Sequence, residues 1–283
     1  MYLPGASLAP SLRASDNLVA VARSAPVVCT VVPSHVTRRV LTTIAPHIAK
    51  GTRLVCASKG IETDTLQLMG QVAGEVVPQA VFVALSGPSF AEEVHAGNPT
   101  AIVAASSSNV AAAEAQQLFS MKSFRIYSSD DVTGVSLAGS LKNTVAIAAG
   151  ILDGLGLGHN ARAALLTRGL AEIARLGARL GASAGTFSGL AGMGDLILTC
   201  TGALSRNRQL GVALAGGATL SEYYATHHTV VEGVNTALAA ARLAERHGVE
   251  LPITSQVAGV LFDGVPPRDA IKTLMERTLK SES

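Results

Sequence analysis

Residues Val135 to Ile151 read VSLAGSLKNTVAIAAGI, a run with one charge, Lys142. A segment apolar on every side is expected to be a buried helix. Burial lowers a lysine pKa by up to about 3–5 units, which would let Lys142 exchange a proton near neutral pH as a general acid/base. A lysine that snorkels to the surface, or that pairs with a buried acid, would show the same pattern. A second isolated charge, Asp195, lies within Ser188 to Thr201, SGLAGMGDLILTCT. The glycines permit close backbone approach, so the acid could orient a lysine or a substrate hydroxyl, or cap the helix that follows.

Ser205-Arg206-Asn207-Arg208 places a hydroxyl, a planar five-donor fork and an amide in one turn, a set suited to phosphate. Basic surface turns share that composition. Three further motifs follow strand-like runs: Pro33-Ser34 after PVVCTVV, Ser58-Lys59-Gly60 after RLVCA, and Gly87-Pro88-Ser89-Phe90 after VFVAL. Strand ends of this kind converge on the edge where open α/β sheets bind ligands. Other features carry less. Gly154-Leu155-Gly156-Leu157-Gly158 and Gly192-Met193-Gly194 do not match a dinucleotide loop and follow no strand-like run. His159, His227 and His228 lack metal-ligand spacing, so no metal site is expected.

These residues need elements to hold them. Apolar runs at Pro26 to Val32, Arg53 to Ala57, Val81 to Leu85 and Thr100 to Ala105 alternate with helical spacing at Thr37 to Ile48 and Thr65 to Val76. Strands apolar on both faces and separated by helices predict a parallel, covered sheet. Beyond Asp131 the spacing is helical, at Val132 to Ile151, Ala161 to Leu180, Val234 to His247 and Arg268 to Leu279. The expectation is an α/β domain over residues 1–131 and an all-α domain over 132–283. With 22 Lys plus Arg against 20 Asp plus Glu, the net charge of +2 argues against nucleic acid, and the 48% hydrophobic content argues against disorder. The longest uncharged run is broken by Gly97, Asn98 and Pro99, so no membrane span is expected, and the N-terminus lacks signal-peptide texture. Cys29, Cys56 and Cys200 form no CxxC pair and read as buried residues of a reducing, cytoplasmic protein.

The chain as a whole resembles the bacterial-type NAD(P)-dependent glycerol-3-phosphate dehydrogenases. The resemblance rests on YLPG at 2–5, VPS at 32–34, SKGIE at 58–62, LSGPSFAEEV at 85–94 and FRIYSSDDVTGV at 124–135. It continues through LKNTVAIAAGILDGLGLGHNARAALLTRGLAEIARLG at 141–177, GLAGMGDLILTCTGALSRNR at 189–208, VVEGV at 230–234 and VELPIT at 249–254. It implies an oxidoreductase that interconverts sn-glycerol 3-phosphate and dihydroxyacetone phosphate with NAD or NADP, feeds glycerophospholipid synthesis and forms a homodimer. Lys142 would accept the hydroxyl proton. Lys59, Gly87, Ser89, Asp195, Ser205, Arg206 and Asn207 would line the substrate site, and Lys59, Ala91, Arg206, Val230 and Glu232 would contact the cofactor.

Members of that family open with a strand, a glycine-rich loop and a helix, which precede the YLPG motif. This sequence starts beside YLPG, so an incomplete Rossmann-like sheet, weak dinucleotide binding and low turnover are expected. Two alternatives follow. One is an impaired homologue that serves as a ligand-binding or interaction protein, and the other a related hydroxy-acid dehydrogenase.

Overall fold

The computed structural model describes residues 3, 5–279 and 281, so Tyr2 and Pro4 of the YLPG motif lie outside the described residues. Helix α1 (Leu18–Arg23) leads into an alternating series: β1 (Val27–Thr30), α2 (Ser34–Ile44), β2 (Arg53–Cys56), α3 (Met69–Val76) and β3 (Val81–Ser86). The series continues with α4 (Ala91–His95), β4 (Thr100–Ala105), α5 (Asn109–Phe119) and β5 (Phe124–Ser129). The strands form one sheet in the order β1-β2-β3-β4-β5. Both faces are covered, as the doubly apolar strands require. Leu54 and Cys56 of β2 pack with Leu41 and Ile44 of α2 and Val72 of α3. Their neighbour Val55 joins Val83, Ala111 and Ala115 on the other side.

Two features differ from the sequence reading. The β1–β2, β2–β3 and β4–β5 pairings are parallel, but β3 and β4 run antiparallel. A parallel crossover takes about a dozen residues or more and usually a full helix, whereas the β3–β4 link holds only the five-residue α4. The sequence reading also omits β5. Its FRIYSS run buries Ile126 and exposes Arg125 and Tyr127, the period-2 alternation of an edge strand with one covered face.

From Val132 onward the described elements are helices: α6 (Val132–Gly154), α7 (Gly158–Arg179), α8 (Ala184–Ser188), α9 (Asp195–Thr201), α10 (Arg206–Ala215), α11 (Leu220–Thr226), α12 (Glu232–Arg246), α13 (Pro252–Phe262) and α14 (Pro267–Met275). Asp131 caps α6, since Oδ1 accepts from Gly134 N at 2.8 Å. Its Oδ2 accepts from Ser183 N at 2.9 Å and Thr186 Oγ1 at 2.6 Å, which fastens the start of α6 to α8. Of the 23 residues of α6, 17 are buried, because other helices surround it. One side carries Leu137 and Leu141 against Ile173, Leu176 and Phe187. The other carries Ile147 and Ile151 against Leu210, Leu214 and Val234. By length and composition α6 could cross a membrane, yet here it is the central helix of a folded domain. Each fully buried Leu or Ile contributes about 1.5–3 kcal/mol, so this packing holds Lys142 in a fixed frame.

Candidate active site

Lys142 comes from the middle of α6, Lys59 from the turn after β2, and Asp195 from the first residue of α9. Their side chains meet. Lys142 Nζ donates to Asp195 Oδ1 at 2.5 Å and to Thr199 Oγ1 at 2.8 Å. Lys59 Nζ donates to Asp195 Oδ2 at 2.7 Å and to the Gly87 carbonyl at 3.3 Å. The pairing with a buried acid foreseen for Lys142 is therefore present, and Asp195 is shared by two cations instead of serving as a cap. A π-helical turn, Leu190–Gly194, delivers Asp195.

Side-chain exposure is 8% for Lys142, 2% for Asp195 and 22% for Lys59, so the centre is shielded with Lys59 on its open side. Burial is the largest influence on Lys142, and with the neighbouring Lys59 charge it pulls the ammonium down to about 8 against the attraction of Asp195. Burial alone would raise Asp195, but the two lysines together hold its carboxyl below the usual carboxylate range. A lysine near 8 beside an ionised carboxylate can take up and release protons close to neutral pH.

The strand ends converge as their order requires. Ser58 Oγ donates to the Val32 carbonyl at 2.5 Å and ties the β2 turn to the β1 turn. Gly87 has φ +145°, and a Cβ there would lie 2.8 Å from the Ile102 Cα, so a side chain at this point would displace β4. Ser89 Oγ donates to the Gly87 carbonyl at 3.1 Å, which holds the turn, and Ala91 opens α4 as an exposed residue. Gly139 of α6 sits against this turn. A Cβ on it would approach Lys59 Cδ to 3.5 Å and Ser86 Oγ to 2.5 Å, so glycine lets the lysine lie close to the helix.

The Ser205-Arg206-Asn207 turn begins α10. Ser205 Oγ accepts from Arg208 N at 3.3 Å as its cap. Arg206 Nη1 donates to the Val230 carbonyl at 2.8 Å, which joins two residues that the family resemblance implies at the cofactor. Asn207 Nδ2 donates to Asn143 Oδ1 at 3.0 Å, and its Oδ1 accepts from Gly233 N at 2.9 Å. Glu232, the first residue of α12, accepts from Ser34 N at 3.0 Å and Ser34 Oγ at 2.5 Å. The structure thus joins Lys59, Gly87, Lys142 and Asp195 directly, and links Arg206 to Val230. Sequence reasoning missed Asn143 and Thr199. Each had a signal: Asn143 is polar beside Lys142 in an apolar helix, and Thr199 lies one turn after Asp195.

Open α/β sheets bind dinucleotides at the carboxyl ends of their strands. Here Ser34 and Lys59 follow β1 and β2, the Glu232 carboxylate is held by Ser34, and the Arg206 guanidinium is held by the Val230 carbonyl. A covered sheet with polar strand ends faces helices that carry a buried lysine–carboxylate centre, the arrangement of an α/β enzyme that moves protons beside a ligand held at the strand ends.

Comparison with known proteins specifies the class further. Residues 1–112 match the family model for the NAD-dependent glycerol-3-phosphate dehydrogenase N-terminus, and residues 131–272 the model for its C-terminus. A glycerol-3-phosphate dehydrogenase (NAD(P)+) of Geobacter metallireducens is 53% identical over 285 residues, covering 100% of this chain and 85% of the relative. The crystal structure of a glycerol-3-phosphate dehydrogenase from Coxiella burnetii superposes with a TM-score of 0.94 at 39% identity, covering 98% of this chain and 85% of that one. A ketopantoate reductase from Ralstonia eutropha, at 15% identity and a TM-score of 0.57, covers 93% of this chain and 80% of its own, and shares the fold alone. The chain belongs to the NAD(P)-dependent glycerol-3-phosphate dehydrogenase family.

Proposed function

We propose that the protein interconverts sn-glycerol 3-phosphate and dihydroxyacetone phosphate with NAD or NADP, and that Lys142 is its acid/base. Residues 1–131 serve as the dinucleotide-binding domain and 132–283 as the substrate domain. The supporting observation is the shared carboxylate: one buried Asp195 holds both Lys142 and Lys59. When bound, the nicotinamide supplies the hydride acceptor or donor. In the oxidising direction neutral Lys142 takes the proton of the substrate hydroxyl, and in the reducing direction charged Lys142 returns it to the carbonyl oxygen. Lys59 polarises that oxygen, and Asp195 keeps both ammonium groups oriented. Arg206 and Asn207 bind the phosphate, with Ser205 fixing the start of α10. Gly87 and Ser89 shape the substrate side of the cleft, and Ala91, Val230 and Glu232 its cofactor side.

Oxidation of reduced nicotinamide on addition of dihydroxyacetone phosphate tests the reaction, and loss of that turnover in Lys142→Ala by about 10²–10⁴-fold tests the acid/base. Near-normal turnover in the variant would remove Lys142 from the mechanism. The three cysteines are free thiols, in keeping with a cytoplasmic setting, although Cys29 is exposed where the sequence reading expects all three to be buried, and sedimentation equilibrium measures the homodimer.

A further inference from the structure

Glu232 and Ser34 are 198 residues apart in sequence, yet the carboxylate of one receives two hydrogen bonds from the other. Ser34 lies at the start of α2, just after β1, and is 3% exposed. Glu232 starts α12 on the helical side. Gly60, the residue after Lys59, forms the third wall of this junction. A Cβ on Gly60 would lie 2.5 Å from Ser34 Cβ and 3.3 Å from Glu232 Oε2, so the contact exists only because position 60 has no side chain. The junction therefore touches the backbone that carries Lys59 and the helix whose Gly233 N–H binds Asn207.

We infer that Ser34 is a positioning residue for cofactor binding: its hydroxyl and N–H fix the Glu232 carboxylate between the sheet and the helical domain. This rests on the assignment of Glu232 to the cofactor side of the cleft. A glutamate has three rotatable side-chain bonds, and a free carboxylate would sample many positions. Two donors from a buried serine hold both oxygens in one place. A carboxylate has about four acceptor sites. Those not used by Ser34 can receive hydroxyl or amide N–H donors, the groups that a nicotinamide riboside presents. Ser34 thus acts through Glu232 without itself touching the ligand.

The test is a double-mutant cycle on the full chain with Ser34→Ala, Glu232→Ala and the double variant. NADH and NADPH affinity is read by fluorescence titration, and KM for dihydroxyacetone phosphate and the melting temperature are read in parallel. Loss of one hydrogen bond to a charged group is expected to weaken cofactor binding about tenfold in Ser34→Ala. The double variant should bind no more weakly than Glu232→Ala alone, because Ser34 has no effect once the carboxylate is gone. KM for dihydroxyacetone phosphate should stay within about twofold, which a general loosening of the fold would not produce. Full cofactor affinity in Ser34→Ala, or losses that add in the double variant, would overturn this inference alone. If Glu232→Ala binds NADH and NADPH as the unsubstituted chain does, the cofactor assignment of Glu232 fails and the inference fails with it.

Discussion

Replacing Lys142 by Met separates catalysis from stability. The side chain is 8% exposed, and its pKa falls from 10.5 to about 8. That difference corresponds to about 3 kcal/mol of preference for the neutral form in the folded protein. The sign follows from linkage. Below pH 8 both folded and unfolded states carry the proton, so the folded protein bears the whole penalty. Between about 8 and 10.5 the folded state releases it first, and stability from this group rises with pH. Methionine has similar volume and no charge, and Asp195 keeps its bond to Lys59 at 2.7 Å, so the variant should fold. Urea unfolding at pH 7 and pH 10.5 measures the effect. The stability of the natural protein relative to Lys142→Met should rise by about 3 kcal/mol between those pH values. Glycerol 3-phosphate oxidation should fall by about 10²–10⁴-fold in the variant, while in the natural enzyme it should rise with pH through an inflection near 8. A stability difference independent of pH, or turnover that survives the substitution, would refute the assignment of a buried, proton-exchanging lysine.

Asp195→Asn leaves two ammonium groups facing a neutral amide inside the protein, so thermal unfolding should report a loss of about 3–5 kcal/mol; an unchanged melting temperature would show that the pairing is not formed in solution. Arg206→Ala should weaken binding of the phosphorylated substrate by about 1.5–3 kcal/mol and leave unphosphorylated dihydroxyacetone almost unaffected, as KM for each substrate will show. Glu172 of α7 accepts from Ile253 N at 2.7 Å and Thr254 N at 3.3 Å at the start of α13, and burial raises it to about 7. Its charged form is disfavoured in the folded state, so the natural protein should lose about 3 kcal/mol relative to Glu172→Gln as pH rises from 4.5 to 7, measured by urea unfolding.

Individual motifs show how far linear pattern reaches. The helix holding Lys142 was legible because a single charge in a long apolar run has few places to go except the interior. The strand ends at Ser34, Lys59 and Gly87 were legible because β-branched runs that end in small or polar residues mark the edge of a covered sheet. The reversed β4 was not, since strand direction depends on whether the intervening link can pack a helix across the sheet, and its composition resembles that of a parallel crossover. β5 carried an alternating pattern, but six residues with one buried aliphatic side chain give little contrast against a loop.

The sequence by itself determined the two textures of the chain, the isolation of Lys142 and Asp195 as single charges in apolar runs, and the hydroxyl, guanidinium and amide grouped at Ser205-Arg206-Asn207. Those properties depend on residue type and local period, which are read along the chain. Tertiary structure decided the partnerships: Asp195 with Lys142 and Lys59 across separations of 53 and 136 residues, Asn207 with Asn143 across 64, and Glu232 with Ser34 across 198. No local period encodes such contacts. They arise when the packed helices and the sheet set their relative positions, and the low-dielectric interior so formed pulls Lys142 down to about 8.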